Sequence, residues 1–216
     1  MKKIFATIAV LAVAASSAFA QISVGAGYVG TTATTEINSN STDVNFSGFY
    51  LGGSYNFDLG MGIGVAPGLY YVNESNSNTK SATALGYTAT GDVTTKEQFI
   101  AVPINLNYGI ELMDGLKLSV FAGPTLAYGL SSKTTGTVTL PILGTKETTI
   151  DNYDEDEGNV LDYKKFDVML GAGVAVDIVD MIRVSAGYNW GLMDLHGNDN
   201  SKYTRKGLHI GVAYLF

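Results

Sequence analysis

The chain has 216 residues, 20 acidic against 13 basic side chains for a net charge of −7, and no cysteine. The lack of cysteine excludes disulfides and thiolate metal centres, and the acidic balance argues against a nucleic-acid partner, which wants a basic patch. No apolar run beyond the first 20 residues approaches the roughly 20 that a membrane helix needs, while 26 Gly and 13 Tyr suit a β-rich chain.

Lys2 and Lys3, the apolar run 4–15 and Ala18-Phe19-Ala20 read as the n-region, h-region and cleavage site of a secretory signal peptide over 1–20. The run is too short to span a bilayer. Residue 21 is Gln, so no lipoprotein anchor is expected. Cleavage leaves residues 21–216, the length of one barrel or sandwich. Loss of the two lysines takes the net charge to −9.

Eight segments then alternate with a period of two, the spacing of strands. They cover about 21–30, 46–57, 61–72, 98–112, 116–130, 166–178, 182–192 and 208–216. The fourth is the clearest: Ile100, Val102, Ile104, Leu106, Tyr108, Ile110 and Leu112 alternate with small or polar residues. In the last, Leu208, Ile210, Val212, Tyr214 and Phe216 share one face, and His209, Gly211, Ala213 and Leu215 the other. Each segment covers at least the 9–11 residues that a tilted membrane-crossing strand needs.

The connections alternate short and long. Asp58-Leu59-Gly60, Met113-Asp114-Gly115 and Val179-Asp180-Met181 have the composition of tight turns. The stretches 31–45, 73–97, 131–165 and 193–205 read as long polar loops. Within the third, 135–140 and 145–150 alternate about Pro141-Ile142-Leu143-Gly144, which predicts a projecting hairpin. The expected architecture is all-β: an eight-stranded antiparallel up-and-down transmembrane barrel with periplasmic termini and four long external loops. The apolar face is assigned to lipid. The other face, mostly Gly, Ala, Ser and Asn, is assigned to an interior only wide enough for side chains. Pro67, Pro103 and Pro124 fall inside these runs and are read as local bulges, since proline cannot donate to a ladder.

Four segments carry a family likeness: Val102-Pro103-Ile104-Asn105-Leu106-Asn107-Tyr108, Phe121-Ala122-Gly123-Pro124, Tyr188-Asn189-Trp190-Gly191-Leu192 and Ile210-Gly211-Val212-Ala213-Tyr214-Leu215-Phe216. They resemble the small eight-stranded outer-membrane β-barrel proteins, in particular the group common in Bacteroidota and labelled outer membrane protein beta-barrel domain or porin family. The resemblance covers most of 21–216. It implies a monomer in the Gram-negative outer membrane, among membrane lipid and lipopolysaccharide. It also implies a barrel-assembly machinery that reads Leu208, Ile210, Val212, Tyr214 and Phe216 as its signal. It brings no cofactor and no catalytic residue, and the fold hosts adhesins, enzymes and structural proteins alike.

Parity and distance from the turns place Glu111, Lys117, Asp177 and Arg183 inside the barrel near its periplasmic end. Buried charges must pair, so these four are expected to form a polar plug, the competing role being a gate or proton path. Asp167 and His209 face inward nearer the outer end. His196 with Asp194, Asp199 and Ser201 is compatible with a lipid A-modifying hydrolase but also with ordinary loop composition, so no catalytic residue is assigned. The acidic run 151–159 offers Asp154 and Asp156 as a weak Ca²⁺ site. It lacks the EF-hand spacing, so the expectation is no metal. The functional expectation is a non-enzymatic envelope protein that acts structurally or binds an unidentified surface ligand through its external loops. A small-solute porin and a lipid A-modifying enzyme are the alternatives, and a soluble sandwich is the structural rival.

Overall fold

Period-two alternation produces nine antiparallel strands: β1 (Ala20–Ile37), β2 (Asn40–Gly60), β3 (Ile63–Ala84), β4 (Tyr87–Met113), β5 (Leu116–Leu140), β6 (Gly144–Asp151), β7 (Phe166–Ile178), β8 (Ile182–Gly191) and β9 (Ser201–Leu215). The computed structural model describes residues 20–37, 40–84, 87–140, 144–153, 164–195 and 201–216. The expected signal peptide lies outside them, save Ala20. Neighbours in sequence pair, β5 pairs with β7, and β9 returns to β1, closing a ring of eight. β6 stands outside the ring. It pairs with the upper part of β5 (Lys133 to Leu140), while the lower part (Leu116 to Tyr128) pairs with β7.

The side chains sort as the alternation requires. Leu208, Ile210, Val212, Tyr214 and Phe216 are all exposed on the outer wall, while Leu215 between them is buried. The same holds for Leu106, Tyr108, Val120, Leu170, Val174 and Trp190. An apolar exterior around a fully paired ring is the inverse of a soluble barrel, and lipid is the solvent that satisfies it. Aromatic residues bound this wall at both ends. Tyr28 faces Phe49 and Tyr128 faces Phe166 at one end. At the other, Tyr214 packs on Phe216 with ring centroids 4.8 Å apart, and Tyr55 on Phe57 at 4.5 Å.

The structure corrects four expectations. The stretches read as loops are largely strand: β1 and β2 stay paired up to Ile37 and Asn40, and β3 and β4 up to Ala84 and Tyr87. Above the apolar wall the outer face of a strand no longer meets hydrocarbon, so hydrophobic alternation vanishes although the ladder continues. Threonines take over, bonding across strands at Thr95–Thr134 (3.0 Å), Thr135–Thr149 (3.0 Å) and Thr139–Thr145 (3.1 Å). Such cross-strand pairs stabilise sheets. The expected hairpin is present as upper β5 and β6.

The prolines make no bulges. Pairing lapses beside them, but the register is the same before and after each, and the shifts fall at Asp58/Gly60, Gln98/Phe99 and Glu111/Met113. A missing N–H removes a ladder bond without inserting a residue. Nor is Asp58-Leu59-Gly60 the first turn. The Gly60 N–H donates to Asp58 Oδ1 at 2.7 Å in a bulge, and the chain reverses at Met61-Gly62, where Gly60, Met61 and Gly62 all have positive φ. Finally, the interior holds more than small residues. Tyr50, Tyr70, Phe121 and His209 fill its middle.

Candidate functional site

The four charges assigned to the periplasmic end form one cross-strand row: Glu111 opposite Lys117, Lys117 opposite Asp177, and Asp177 opposite Arg183. Two of them are in contact. Arg183 grips the buried Asp177 with both ends of its fork, Nε to Oδ1 at 2.6 Å and Nη2 to Oδ2 at 2.7 Å. Lys117 lies along Gly109, which leaves room for its side chain, and Glu111 is exposed. Among the described residues neither makes an ion pair.

A second, more buried cluster sits just beyond the outer aromatic belt. Glu74 and Glu97 are cross-strand partners on β3 and β4, both facing the axis and both almost wholly buried. Arg205 of β9 lies between them. Its Nη2 bonds Glu74 Oε1 and stands 3.0 Å from Glu97 Oε2, off the line of its N–H, so the second contact is ionic rather than a hydrogen bond. Thr31 Oγ1 donates to Glu74 Oε2 at 2.7 Å, and Ser132 Oγ to Glu97 Oε1 at 3.3 Å. Asn152 in turn donates to Ser132 Oγ at 2.9 Å. The guanidinium carbon lies 4.7 Å from the Phe99 ring centroid, a cation–π contact that gains strength where water is excluded.

Ala33, Phe46, Tyr203 and Leu195 form a small apolar layer at the outer mouth, with Val44 and Met193 packed against it. Leu195 is held there by backbone bonds to Tyr203 and Lys164. On the other side Tyr153 packs on Gly129, with Lys165 Nζ 5.6 Å from its ring. Burial, and then the charge of Glu97, push its phenol up to about 12, so Tyr153 is neutral at every physiological pH. Below the cluster a cavity of about 190 Å³, lined by Tyr50, Tyr70, Phe121 and His209 among others, reaches down to Arg183. The lumen thus holds an ion cluster and an apolar layer above this cavity and a bidentate ion pair at its lower end.

His209 sits between Tyr50 (centroids 6.2 Å) and Phe121 (6.3 Å), against Gly187. It makes no hydrogen bond to a carboxylate or hydroxyl among the described residues. Asp167 is buried with neither carboxylate oxygen hydrogen-bonded. Asp194 accepts the Tyr203 N–H at 2.9 Å, and its carbonyl accepts from Lys164 Nζ. His196, Asp199, the side chain of Ser201, and Asp154 with Asp156 lie outside the described residues. Sequence reasoning missed Glu74, Glu97 and Arg205, because all three fell in stretches read as loop. Counting parity onward from Val72, Phe99 and Gly207 would have put them inside.

Residues 14–197 match the family model described as outer membrane protein beta-barrel domain. A search of curated proteins finds no match. Among solved structures, the chain is similar to OprG, an outer membrane protein of Pseudomonas aeruginosa (9% identity, 92% of this chain and 96% of that one, TM-score 0.46). It is similar to Ail, the attachment invasion locus protein of Yersinia pestis, in complex with the heparin analogue sucrose octasulfate (13%, 92% and 99%, 0.42). It is also similar to Neisserial surface protein A (12%, 91% and 97%, 0.41).

Proposed function

Because the chain belongs to the outer membrane protein beta-barrel domain family, and so is a barrel of the bacterial outer membrane, we propose that it is a non-enzymatic surface protein that binds a partner outside the cell. One observation carries this reading. The upper parts of β3, β4 and β5, with β6, form a four-stranded sheet that rises beyond the barrel ring, and among the described residues β6 pairs on one side only. An unpaired strand edge is a template for adding a partner strand. Val93, Val138 and Ile150, each about half exposed, stand on the axis-facing side of the same sheet. Three apolar side chains in water beside an open edge suit a binding surface better than an inert rim.

The ion cluster and apolar layer inside the lumen favour this role over solute passage. An eight-stranded barrel has space only for side chains, and here charged and apolar layers occupy it. The isolated setting of His209 likewise favours binding over lipid A chemistry, which needs a nucleophile, base and orienting acid in reach.

The test replaces 135–149 by an Asn-Gly turn, which removes β6 and leaves the ring intact. Cells displaying the shortened barrel are expected to lose self-aggregation and adherence to protein-coated surfaces that the full chain confers. Unchanged adherence at equal surface level defeats the proposal. Steady conductance in planar bilayers would instead support the porin reading, and an altered acyl pattern of lipid A in expressing cells the enzymatic one.

A further inference from the structure

Lys96 of β4 and Lys133 of β5 are direct cross-strand partners, and both are exposed. Like charges placed opposite each other destabilise a strand pair. Among the described residues no carboxylate lies within salt-bridge distance of either ammonium. The carboxylate across the next ladder, Asp151 on β6, turns one oxygen to the Tyr153 N–H at 3.1 Å.

Both lysines point away from the barrel axis, because Glu97 beside Lys96 and Ser132 beside Lys133 point toward it. The row is flanked by further donors: Gln98 opposite Ser131 below, and Thr94 opposite Thr135 above. These six side chains line one depression on the outer wall, with Glu147 and Thr149 at its β6 side. Glu147 pairs with Thr137, four residues beyond Lys133, so its charge lies above the lysine row.

Height identifies the occupant. Lys133 is three residues past Leu130, the uppermost exposed apolar residue on the wall face of β5. At about 3.3 Å per residue and a tilt near 40°, that is roughly 8 Å above the apolar wall. Tyr128 and Phe166 mark the lipid–water interface beneath it, so the ammonium groups stand at headgroup depth and not in the aqueous layer beyond. The tight turns at the opposite end carry Asp114 and Asp180, with Asp58 in the bulge before Met61.

We propose that Lys96 and Lys133 clamp a phosphate of a phosphorylated glycolipid in the outer leaflet, with the flanking hydroxyl and amide groups bonding its remaining oxygens. One phosphate between two ammonium groups turns a repulsive pair into a bridged one, and the acyl chains of the same lipid lie on the apolar wall below. The clamp does not depend on what the sheet above it binds.

The full-length barrel in detergent micelles is titrated by native mass spectrometry with bisphosphorylated lipid A, with the same lipid stripped of phosphate, and with inorganic phosphate. The wild-type protein should retain the phosphorylated lipid. Lys96→Gln/Lys133→Gln should weaken it about twenty-five-fold, from about fivefold per lysine at a charged membrane surface. Lys80→Gln, an exposed lysine higher on the same sheet, should bind like wild type. The double substitution removes a repulsion, so folding is expected to survive, as heat-modifiable gel mobility will report. Three results overturn the clamp: equal retention by wild type and double variant, equal retention of the phosphate-free lipid, or an equal loss in Lys80→Gln. Displacement by inorganic phosphate at equal concentration also overturns it, since the site would then take the free ion.

Discussion

Arg205→Ala is the most informative single substitution. Glu74 is fully buried and Glu97 nearly so, and one guanidinium serves both. Its removal leaves two carboxylates on adjacent strands facing each other without a counter-charge. Breaking a buried ion pair by removing one partner costs about 3–5 kcal/mol. The lost contact with Phe99 adds to this, and the apolar layer over the cluster keeps water from rescuing it. With a urea m-value near ~2 kcal/mol/M, the unfolding midpoint of the refolded barrel should fall by roughly 1.5–2.5 M, read from the heat-modifiable fraction on gels. The defect should also depend on pH. Burial pushes the Glu97 carboxyl up against the opposing charge of Arg205, so without Arg205 it holds its proton still more tightly in the folded state, and stability falls as pH rises above the ordinary Glu value of about 4.3. The loss is therefore larger at pH 8 than at pH 5. Adding Glu74→Gln and Glu97→Gln to an Arg205→Met background should recover most of the stability, because a neutral network has no charge to bury. A midpoint shift below about 0.25 M for Arg205→Ala, or no recovery in the triple variant, would show that the cluster does not hold the outer mouth together.

Three further outcomes follow from other sites. Val179 has φ of 54° in the β7–β8 turn, a strained conformation for a β-branched residue. Val179→Gly should raise the urea midpoint by an amount corresponding to about 1 kcal/mol, and a lowered midpoint would contradict the strain. Tyr153, held near 12, keeps its proton longer in the folded protein, so the fold loses stability between about pH 10 and 12. Difference absorbance between wild type and Tyr153→Phe should show one phenol titrating near 12, and a missing late step would refute its burial. Phe216 donates its N–H to Ile22 O at 2.9 Å and exposes its ring at the barrel's lower edge. If that ring is read during assembly, Phe216→Ala should slow the appearance of the heat-modifiable form in cells several-fold while leaving detergent refolding nearly unchanged. An equal effect in both settings would make it a packing residue only.

Within the membrane the strands and their two faces were legible, because lipid outside and a narrow lumen inside impose opposite demands on alternate residues. The faces of the last strand follow from its sequence. So does the cross-strand register of Glu111, Lys117, Asp177 and Arg183, since parity counted from a tight turn carries over to the neighbouring strand, but not that only Asp177 and Arg183 pair while Glu111 is exposed. Above the membrane the same demand lapses. The outward neighbours of Glu74, Glu97 and Arg205 are polar (Asn73 and Ser75, Lys96 and Gln98, Thr204 and Lys206), and a strand whose outer face is wet no longer sets apolar against polar residues. Its remaining mark is β-branched threonine in stretches such as 134–139. The prolines misled for a different reason. A lost donor and an inserted residue both interrupt a ladder, but only insertion shifts the register.

The seam between β1 and β9 joins residues from opposite ends of the sequence. Ser23 pairs with Leu215 and Ile37 with Ser201, contacts among the most distant along the chain. Every other ladder in the ring can form between strands close in sequence. This one must wait until β9 has been delivered, and until it forms two long edges with apolar outer faces stay open. Long-range strand pairing is slow because closure entropy is spent before the contacts repay it, and an open sheet in transit is exposed to aggregation. The β1–β9 seam is therefore the ladder whose closure spends the most chain entropy, and shielding of the two open edges until it forms guards the chain against aggregation.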